Sequence, residues 1–234
     1  MKLAIMQPYF MPYIGYFQLI NAVDKFIFYD DVTFIKQGWI NRNQILINNQ
    51  PSMFSIPLSN ASSHVLIKDV LISENTYLKW KKSFLNSIKF SYKKAKNYDQ
   101  IVVLIERILS AQFKTISELA ISSIIEVSKY LELKTEFEVC SNVYSNINLN
   151  GQERLLEICK NEKIKTYINP IGGMELYSKN VFFEENIELF FIKTNKSIYK
   201  QFSENFVPFL SIIDVLMFND IDEIKLQLDN FSLI

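Results

Sequence analysis

The sequence predicts an α/β fold in which helices alternate with the strands of a mostly parallel sheet. An apolar run at residues 2–6 is followed by a loop, a helical segment at residues 15–23 and a second apolar run at residues 25–29. This strand-helix-strand order normally produces parallel strands. The same alternation returns after residue 135, so the prediction is a Rossmann-like sheet.

The elements predicted for the last part of the chain follow the same logic of apolar period and turn residues. Strands are expected at residues 136–139, 165–169 and 188–193. Helices are expected at residues 152–161, 210–218 and 222–228, with a helical turn starting at residues 174–177.

The middle of the chain breaks this alternation. Short β-like runs at residues 39–47, 53–58 and 65–72 are separated by Asn, Pro and Ser, and three helical segments follow. The third helical segment opens with Thr115 and Glu118 at the spacing of a capping box. We therefore expect one domain over residues 1–234, with an antiparallel β and helical segment inserted at about residues 39–133.

Composition narrows the range of partners. Of the 234 residues, 49% are hydrophobic, and Lys plus Arg equal Asp plus Glu at 25 each, which gives no overall field that favours nucleic acid or an anionic membrane. Composition averages over any local basic groove. No stretch approaches the ~18 uninterrupted apolar residues of a membrane span. The first residues also lack the pattern of a signal peptide. We expect a cytoplasmic protein that binds a small molecule, without a membrane span; its oligomeric state is left open.

The residues that most often build metal sites and hydrolytic triads are scarce. His64 is the single histidine, so a zinc site built on histidines is excluded, and a Ser-His-Asp triad would have to use this residue. Cys140 and Cys159 do not have a metal-ligand spacing and are expected to be buried thiols. No metal site is predicted, and the sequence identifies no cofactor.

The loop after the first strand is the most informative segment. The run QPYFMPYIGYFQLI combines amide and phenol groups with two prolines, and such a loop suits recognition of a polar ring with apolar faces. The alternative is that its rings only cover the edge of the sheet. A glycine at the start of the following helix would let backbone N–H groups approach an anion. The substrate-binding residues predicted here are Gln7, Tyr9, Tyr13, Gly15 and Tyr16.

An acidic pair, Asp30 and Asp31, follows the second strand. Dinucleotide-binding folds keep an acid at this position for ribose hydroxyls, and these carboxylates could also act as a general base or hold a metal ion. Asp is equally common in any turn that ends a strand. We predict both residues to be catalytic.

The run KQGWINRN adds groups that bind anions and stack on rings. Arg offers a bidentate fork to phosphate or carboxylate, and Trp offers a flat face. If the run is a strand, alternation places Arg42 on one face and Trp39 and Asn41 on the other. These three side chains can then line the same pocket wall only if a turn intervenes. The substrate-binding residues predicted in this run are Lys36, Trp39, Asn41 and Arg42.

A later loop completes the predicted site. Gly172 and Gly173 follow a predicted strand, and Tyr177 lies a few residues further on. Loops at the carboxyl ends of parallel strands converge, so these three residues are expected to share one pocket with the first loop, the acidic pair and Arg42. The alternative is that Asp30, Asp31 and Arg42 form an ion-pair network that holds the inserted segment on the sheet.

The sequence resembles the WbqC-like family over nearly its full length. The opening QPYFMPYIGYFQLINAVDKFIFYDDVTFIKQGWINRN looks like the start of these proteins, and NGQERLLEICKN, YINPIGGMELYS and FLSIIDVLMFND resemble their second half. This chain has Met6 where many members carry a histidine, so the resemblance does not extend to a mechanism that uses it. The resemblance implies a place in the biosynthesis of O-antigen and related surface glycans, with a transferase-type role on activated sugars.

A weaker likeness is to the nucleotidyltransferase superfamily. The Pro-containing loop with Gly15, the later Gly-Gly and Ser211 before a C-terminal helix echo that superfamily, but its two signature histidines are missing. This favours a related fold more than the same reaction.

Two functions of different class follow from the sequence. The first is a transferase that attaches an acyl or aminoacyl group to a nucleotide-linked amino sugar, with Asp30, Asp31 or Asp214 available as a general base. The second is a non-catalytic binding or scaffold protein of the same pathway.

Overall fold

The structure, a computed structural model, describes residues 1–149 and 151–234. Six strands form one sheet and two strands form a second, separate sheet. The strands are β1 (Lys2–Met6), β2 (Lys25–Phe28), β3 (Arg42–Ile47), β4 (Gln50–Ser55), β5 (Glu136–Val139), β6 (Thr166–Pro170), β7 (Glu188–Thr194) and β8 (Phe231–Leu233).

Nine α-helices are found in residues 1–149 and 151–234, together with short 3₁₀ turns at Ile67–Asp69 and Ile171–Gly173. None of these helices combines the length and the apolar character needed to cross a bilayer. The helices are α1 (Ile14–Asn21), α2 (Glu74–Tyr92), α3 (Tyr98–Ser110), α4 (Ile116–Tyr130), α5 (Cys140–Val143), α6 (Gly151–Asn161), α7 (Lys179–Glu184), α8 (Ile212–Phe218) and α9 (Ile221–Leu228).

The large sheet has the order β5-β2-β1-β6-β7-β8. The first five of these strands are parallel to their neighbours, and β8 pairs antiparallel with β7. This confirms the predicted α/β class with a mostly parallel sheet. The chain moves outward from β1 to β2 and β5, then crosses back to β6 on the other side of β1. That reversal is the place where open α/β sheets bind ligands.

Alternating side chains of the central strands build two cores. Ala4, Phe26 and Phe28 belong to the larger core, on the face that carries α1 to α4, α8 and α9. Ile5 and Ile27 belong to the smaller core, on the face that carries α5, α6 and α7. Because both faces are buried, these strands are almost continuously apolar, as parallel strands usually are.

The segment between β2 and β5 forms an antiparallel hairpin and three helices. Asn48 and Asn49 join β3 to β4 with positive φ angles of 52° and 59°, the backbone that a two-residue hairpin turn requires and that Asn tolerates. The side chain of Thr115 accepts a hydrogen bond from the Glu118 backbone N–H at 3.2 Å, and Glu118 accepts one from the Thr115 N–H at 3.2 Å. The predicted capping box of α4 is therefore present.

Several local elements differ from the prediction, among them α5, which was not predicted. Residues 65–72 form isolated bridges and a 3₁₀ turn in place of a strand, because their backbone N–H groups bond to separate segments. That of Ile67 donates to Val32 in the loop after β2, and that of Ile72 donates to Lys114 before α4. Residues 174–177 form a turn, and the helix α7 starts only at Lys179. The strand β8 was not predicted, since three residues at the edge of a sheet carry no periodic signal.

Candidate functional site at the carboxyl edge of the sheet

The loops after β1 and β6 lie at the same edge of the sheet, because these strands are parallel neighbours. Gln7 follows β1, and Gly172 and Gly173 lie in the turn after β6. A Cβ atom added at Gly172 would meet open space, whereas one added at Gly173 would lie 2.2 Å from Oδ1 of Asn169 and 3.1 Å from the ring of Tyr177. Gly173 thus permits close packing, and Gly172 leaves space at the reversal point.

The loop after β1 is held by hydrogen bonds from the inserted segment and from α8. The carbonyl of Met11 accepts one from Nδ2 of Asn43 and one from Oγ of Ser211, both at 2.7 Å. Its N–H donates to Oγ of Ser123 at 3.3 Å. These bonds hold Met11, a buried residue, at a positive φ of 47°. Ser211 therefore fixes this loop to α8.

The tyrosines predicted in this loop have different surroundings. Tyr16 is buried in the larger core and donates a hydrogen bond to the carbonyl of Gln7 at 2.8 Å. Tyr9 packs on Tyr16 with ring centroids 5.6 Å apart, and burial raises the pKa of Tyr9 to about 12. The ring of Tyr13 lies over Gly15: a Cβ atom there would be 2.4 Å from the Tyr13 ring and 2.5 Å from Oγ1 of Thr194. Glycine is thus required by this contact, and its role toward an anion stays a prediction.

Tyr13 also lines a pocket of about 260 Å³ between the start of α1, the end of β7 and the segment that precedes α8. Two aromatic pairs with edge-to-face geometry form part of its wall: Tyr13 with Phe209 at 6.4 Å, and Tyr199 with Phe206 at 5.1 Å between centroids. We call this space the aromatic pocket. Its lining is Tyr13, Ile14, Thr194, Asn195, Lys196, Ser197, Tyr199, Phe206, Pro208, Phe209, Leu210, Val215 and Gln227.

A buried carboxylate supports the wall of the aromatic pocket. Asp214, on α8, is fully buried and accepts hydrogen bonds from the hydroxyls of Tyr199 at 2.6 Å and Tyr92 at 2.8 Å, and from Nε2 of Gln201 at 2.9 Å. Burial raises the pKa of Asp214, while these three donors lower it. Burial and the Asp214 charge raise the pKa of Tyr199. The network fixes the segment that closes the pocket.

The acidic pair follows β2, and its two side chains enter different environments. Asp30 accepts hydrogen bonds from the N–H and Oγ of Ser141, at 3.1 and 2.9 Å, and from Oγ of Ser117 at 3.3 Å. It lines a groove of about 900 Å³ beside α4, together with Lys68. Burial raises the pKa of Asp30, although the bonds from Ser141 lower it.

Asp31 instead forms a buried ion pair on the other face of the sheet. One of its oxygens lies 2.6 Å from Nη2 of Arg154, on α6, and the two side chains are 3% and 2% exposed. Nε of Arg154 donates to Oδ1 of Asn146 at 2.9 Å, and its guanidinium carbon lies 4.8 Å from the centre of the Tyr29 ring. Among the described residues, the second oxygen of Asp31 and Nδ2 of Asn146 have no hydrogen-bond partner.

The predicted residues of the KQGWINRN run stay near the start of the hairpin. Nε of Arg42 donates to the carbonyl of Gly38 at 2.8 Å, and its guanidinium lies 5.8 Å from the Trp39 ring centre. Asn41 donates to Oγ of Ser55 and to the carbonyl of Ile56, which holds the hairpin together. Lys36 is exposed.

The alternative prediction, an ion-pair network of Arg42 with Asp30 and Asp31, is wrong because Arg42 is not the residue that pairs with the acids. Asp31 pairs with Arg154, and no ion pair of Arg42 occurs within residues 1–149 and 151–234. The sequence could have indicated Arg154, because it stands at the apolar i, i+4 spacing with Ile158, where a charged residue is unexpected unless it is paired.

The structure brings some of the predicted residues together. It separates Asp31, which is paired with Arg154, from Arg42, which stays near the hairpin. Gln7 shares the carboxyl edge with Gly172 and Gly173, and Tyr13 lines the aromatic pocket. Sequence reasoning missed Arg154 and the pocket residues of the segment before α8. No group of three His, Cys, Asp or Glu side chains suited to a metal ion occurs in residues 1–149 and 151–234. The assigned roles of the individual site residues stay predictions.

The sequence profile of the WbqC-like protein family matches residues 7–226. This chain belongs to the WbqC-like protein family. The match includes the loop after β1, the acidic pair, α6 with Arg154 and the start of α9, so it spans all parts of the carboxyl edge.

A relative is found in Mycobacterium tuberculosis (strain ATCC 25618 / H37Rv). The uncharacterized protein Rv1507c of this organism is 29% identical over 219 residues, which cover 92% of each chain. No solved structure matches the chain. The family is therefore established by sequence.

Proposed function

We propose that this protein is a cytoplasmic transferase of bacterial surface polysaccharide biosynthesis, of the O-antigen type, that acts on a nucleotide-linked amino sugar. The transferred group in this proposal is an acyl or aminoacyl group. The proposal rests on the resemblance of the sequence to a family linked with such glycans and on the chemistry of the carboxyl edge.

The observation that carries the proposal is the aromatic pocket. Four aromatic side chains and the apolar Ile14 and Leu210 surround about 260 Å³, a volume suited to a ring system. Aromatic side chains bind nucleobases by stacking, largely irrespective of the base. Lys196 and the polar groups of Thr194 and Asn195 lie at the same pocket, where they can meet hydroxyl or phosphate oxygens. This combination suits a nucleotide better than a purely apolar ligand.

The order of the strands indicates in which direction the diphosphate and sugar of a bound nucleotide would extend from the aromatic pocket. From β7 the edge passes β6 and β1 and reaches β2, which is three strand spacings of roughly 4.8 Å, or about 14 Å. A nucleotide-linked sugar is of comparable length when extended. With its base in the aromatic pocket, its diphosphate would cross the open space at Gly172, and its sugar would lie toward the end of β2.

Asp30 is the group that we propose as general base at that end. Its pKa is raised by burial, which brings a carboxylate closer to the range in which it accepts a proton effectively. Its hydrogen bonds from Ser141 orient the carboxylate, and the groove of about 900 Å³ that it lines is wide enough for an acceptor group. In this proposal Asp31 keeps the end of β2 in place through Arg154.

One observation favours the alternative of a binding protein without catalysis. The lining of the aromatic pocket contains no acidic side chain among the described residues, so this pocket by itself holds a nucleotide without supplying a base. In the alternative, the protein would bind the same ligand and leave it unchanged.

Thermal shift with UDP-, dTDP- and GDP-linked sugars, ATP and acyl-CoA tests nucleotide binding. A ligand at 100 times its Kd adds about 2.7 kcal/mol of stability. For a chain of this length that corresponds to a Tm increase of about 5–10 °C. Phe209→Ala should weaken nucleotide binding by about 1–3 kcal/mol, the usual value of one stacking ring. Phe183→Ala is the matched control, since both rings are 74% exposed but Phe183 lies on α7, outside the pocket.

A turnover assay then distinguishes the transferase from the non-catalytic binding protein. Consumption of a bound nucleotide-linked sugar with acyl-CoA, or with ATP and an amino acid, as co-substrate, lost in Asp30→Asn, supports the transferase. Binding without consumption supports the binding protein. If no nucleotide shifts the Tm, or if both phenylalanine variants bind equally well, the aromatic pocket is not a nucleotide site.

A further inference from the structure

The outer face of α2 and the neighbouring hairpin turn form a basic surface that the proposed function does not use. Between positions 79 and 94 the sequence contains six lysines and no acidic residue. Phe84, Ile88 and Tyr92 mark the buried side of the helix. The exposed lysines of the opposite side and of the end of the helix are Lys79, Lys82, Lys89, Lys93 and Lys94.

These five lysines are not neutralised by the described part of the protein. Within residues 1–149 and 151–234 none of them forms an ion pair, although nine other cation–carboxylate pairs are present there. Lys81 is the sixth lysine, and it is half-buried with its ammonium group on the carbonyl of Leu109 at 2.7 Å. The chain as a whole has no net charge, so this face is a local concentration of positive charge.

Phe90 stands in the middle of the basic face and is 73% exposed. Its ring lines a recess of about 550 Å³, together with Lys89, Lys93 and Lys94, the hairpin residues Asn48 and Asn49, and the partly exposed ring of Phe202. Phe90 also lines a second recess of about 470 Å³, with Lys79 and Lys82. No acidic side chain of the described residues lines either recess.

We propose that the basic face of α2 docks on the surface of an anionic phospholipid bilayer. Two basic recesses accept lipid phosphates, and the ring of Phe90 between them enters the boundary between head groups and acyl chains. Lysines beside an exposed apolar ring are the features by which a helix lies in a membrane interface. Basic residues near an anionic leaflet contribute through its negative surface potential.

The shape of the surface favours a bilayer over a nucleic acid. The ring of Phe90 projects from the outer side of a 19-residue helix, a position suited to insertion into a soft, flat surface. Single-stranded nucleic acid is usually held in a groove that follows its backbone, with several aromatic rings for successive bases. Here Phe90 is the one ring that lines both recesses, and Phe202, which is less exposed, lines only the first. This association goes beyond the proposed function and does not depend on it.

Co-sedimentation of the full chain with vesicles tests the docking. Vesicles of equimolar phosphatidylcholine and phosphatidylglycerol should bind the protein at low salt, and vesicles of phosphatidylcholine alone should not. The triple variant Lys89→Gln, Lys93→Gln, Lys94→Gln should bind about 100-fold more weakly, since each lysine near the surface contributes about 1 kcal/mol. Phe90→Ala should reduce binding by about 10-fold or more, through loss of the inserted ring.

The matched control is the triple variant Lys134→Gln, Lys163→Gln, Lys165→Gln, whose lysines are exposed just before β5 and β6 and line neither recess. It removes the same charge and should bind anionic vesicles as the wild type does. All substituted side chains are exposed, and circular dichroism checks that each variant is folded. Equal loss in both triple variants, unchanged binding of Phe90→Ala, or binding to polyuridylate RNA in place of anionic vesicles would each overturn the proposal.

Discussion

The two ends of the carboxyl edge differ in how their polar side chains are satisfied. At the end of β2, the charge of Asp31 is balanced inside the protein by Arg154, and both side chains are almost inaccessible. At the end of β7, polar and aromatic side chains surround an open pocket, and the buried charge of Asp214 lies behind its wall. An acidic residue in a strand-ending loop therefore does not have to face a ligand. A buried carboxylate can instead support an aromatic wall that faces one.

The largest expected effect comes from breaking the Asp31 ion pair. Arg154→Ala should lower the free energy of unfolding by about 3–5 kcal/mol, because it leaves a buried carboxylate without its partner. Denaturant unfolding measures this loss. Arg107→Ala is the control: Arg107 pairs with Glu126 at 2.8 Å but is 64% exposed, and such pairs contribute about 0–1 kcal/mol.

The difference between the two ends also predicts what Arg154→Ala leaves intact. The folded fraction should bind nucleotides with wild-type affinity, because Arg154 does not line the aromatic pocket. A variant that keeps its stability but loses nucleotide binding would contradict the structural role of this ion pair and restore the predicted functional role of Asp31.

A smaller effect is expected at the aromatic pocket. Tyr199→Phe keeps the ring but removes the hydroxyl that donates to Asp214 at 2.6 Å. Hydrogen bonds to charged groups contribute about 1.5–3 kcal/mol, so the free energy of unfolding should fall by about that amount. Nucleotide affinity should change little, since the stacking surface remains. Both quantities are measured by unfolding with and without ligand.

Tyr77→Phe is the control for this substitution. The hydroxyl of Tyr77 is buried and has no hydrogen-bond partner among the described residues, so its removal should be neutral or stabilising. If the two variants lost equal stability, the bond between Tyr199 and Asp214 would not support the pocket wall.

The smallest effect concerns Asp30. Because the pKa of Asp30 is raised in the folded protein, its contribution to stability is present below the unfolded-state pKa and is lost as pH rises through the folded-state pKa. Asp30→Asn should therefore gain stability relative to the wild type as pH rises above about 4, the ordinary pKa of an aspartate. We expect the Tm of Asp30→Asn to lie above that of the wild type at neutral pH.

Thermal scans of both proteins across this pH range give the comparison, and the difference should vanish at the acid end. A variant that is less stable than the wild type at neutral pH would mean that the bonds from Ser141 outweigh the cost of burial. Loss of turnover together with retained stability would sharpen the proposed role of Asp30 as a base.

The alternating strands and helices could be predicted from the sequence. The prediction failed mainly for segments whose conformation depends on tertiary contacts. The capping box at Thr115 is a local pattern, because its hydrogen bonds join residues three apart, and it is present. The strand predicted at residues 65–72 was wrong, because the backbone N–H groups of this segment bond to several separate segments, among them the loop after β2. Apolar alternation shows that a segment is half-buried, but does not show which segment supplies its hydrogen bonds.

The sequence by itself determined the α/β class, the parallel strands around β1 and the family, because these follow from apolar period and from local motifs. Only the tertiary structure decided that Asp30 and Asp31 enter different faces of the sheet and that Arg154, 123 residues further along, pairs with Asp31. It also decided that the segment before α8 closes a pocket over Tyr13. The physical reason is that buried charges and pocket walls are satisfied by residues distant in sequence, whose approach depends on the order of the strands.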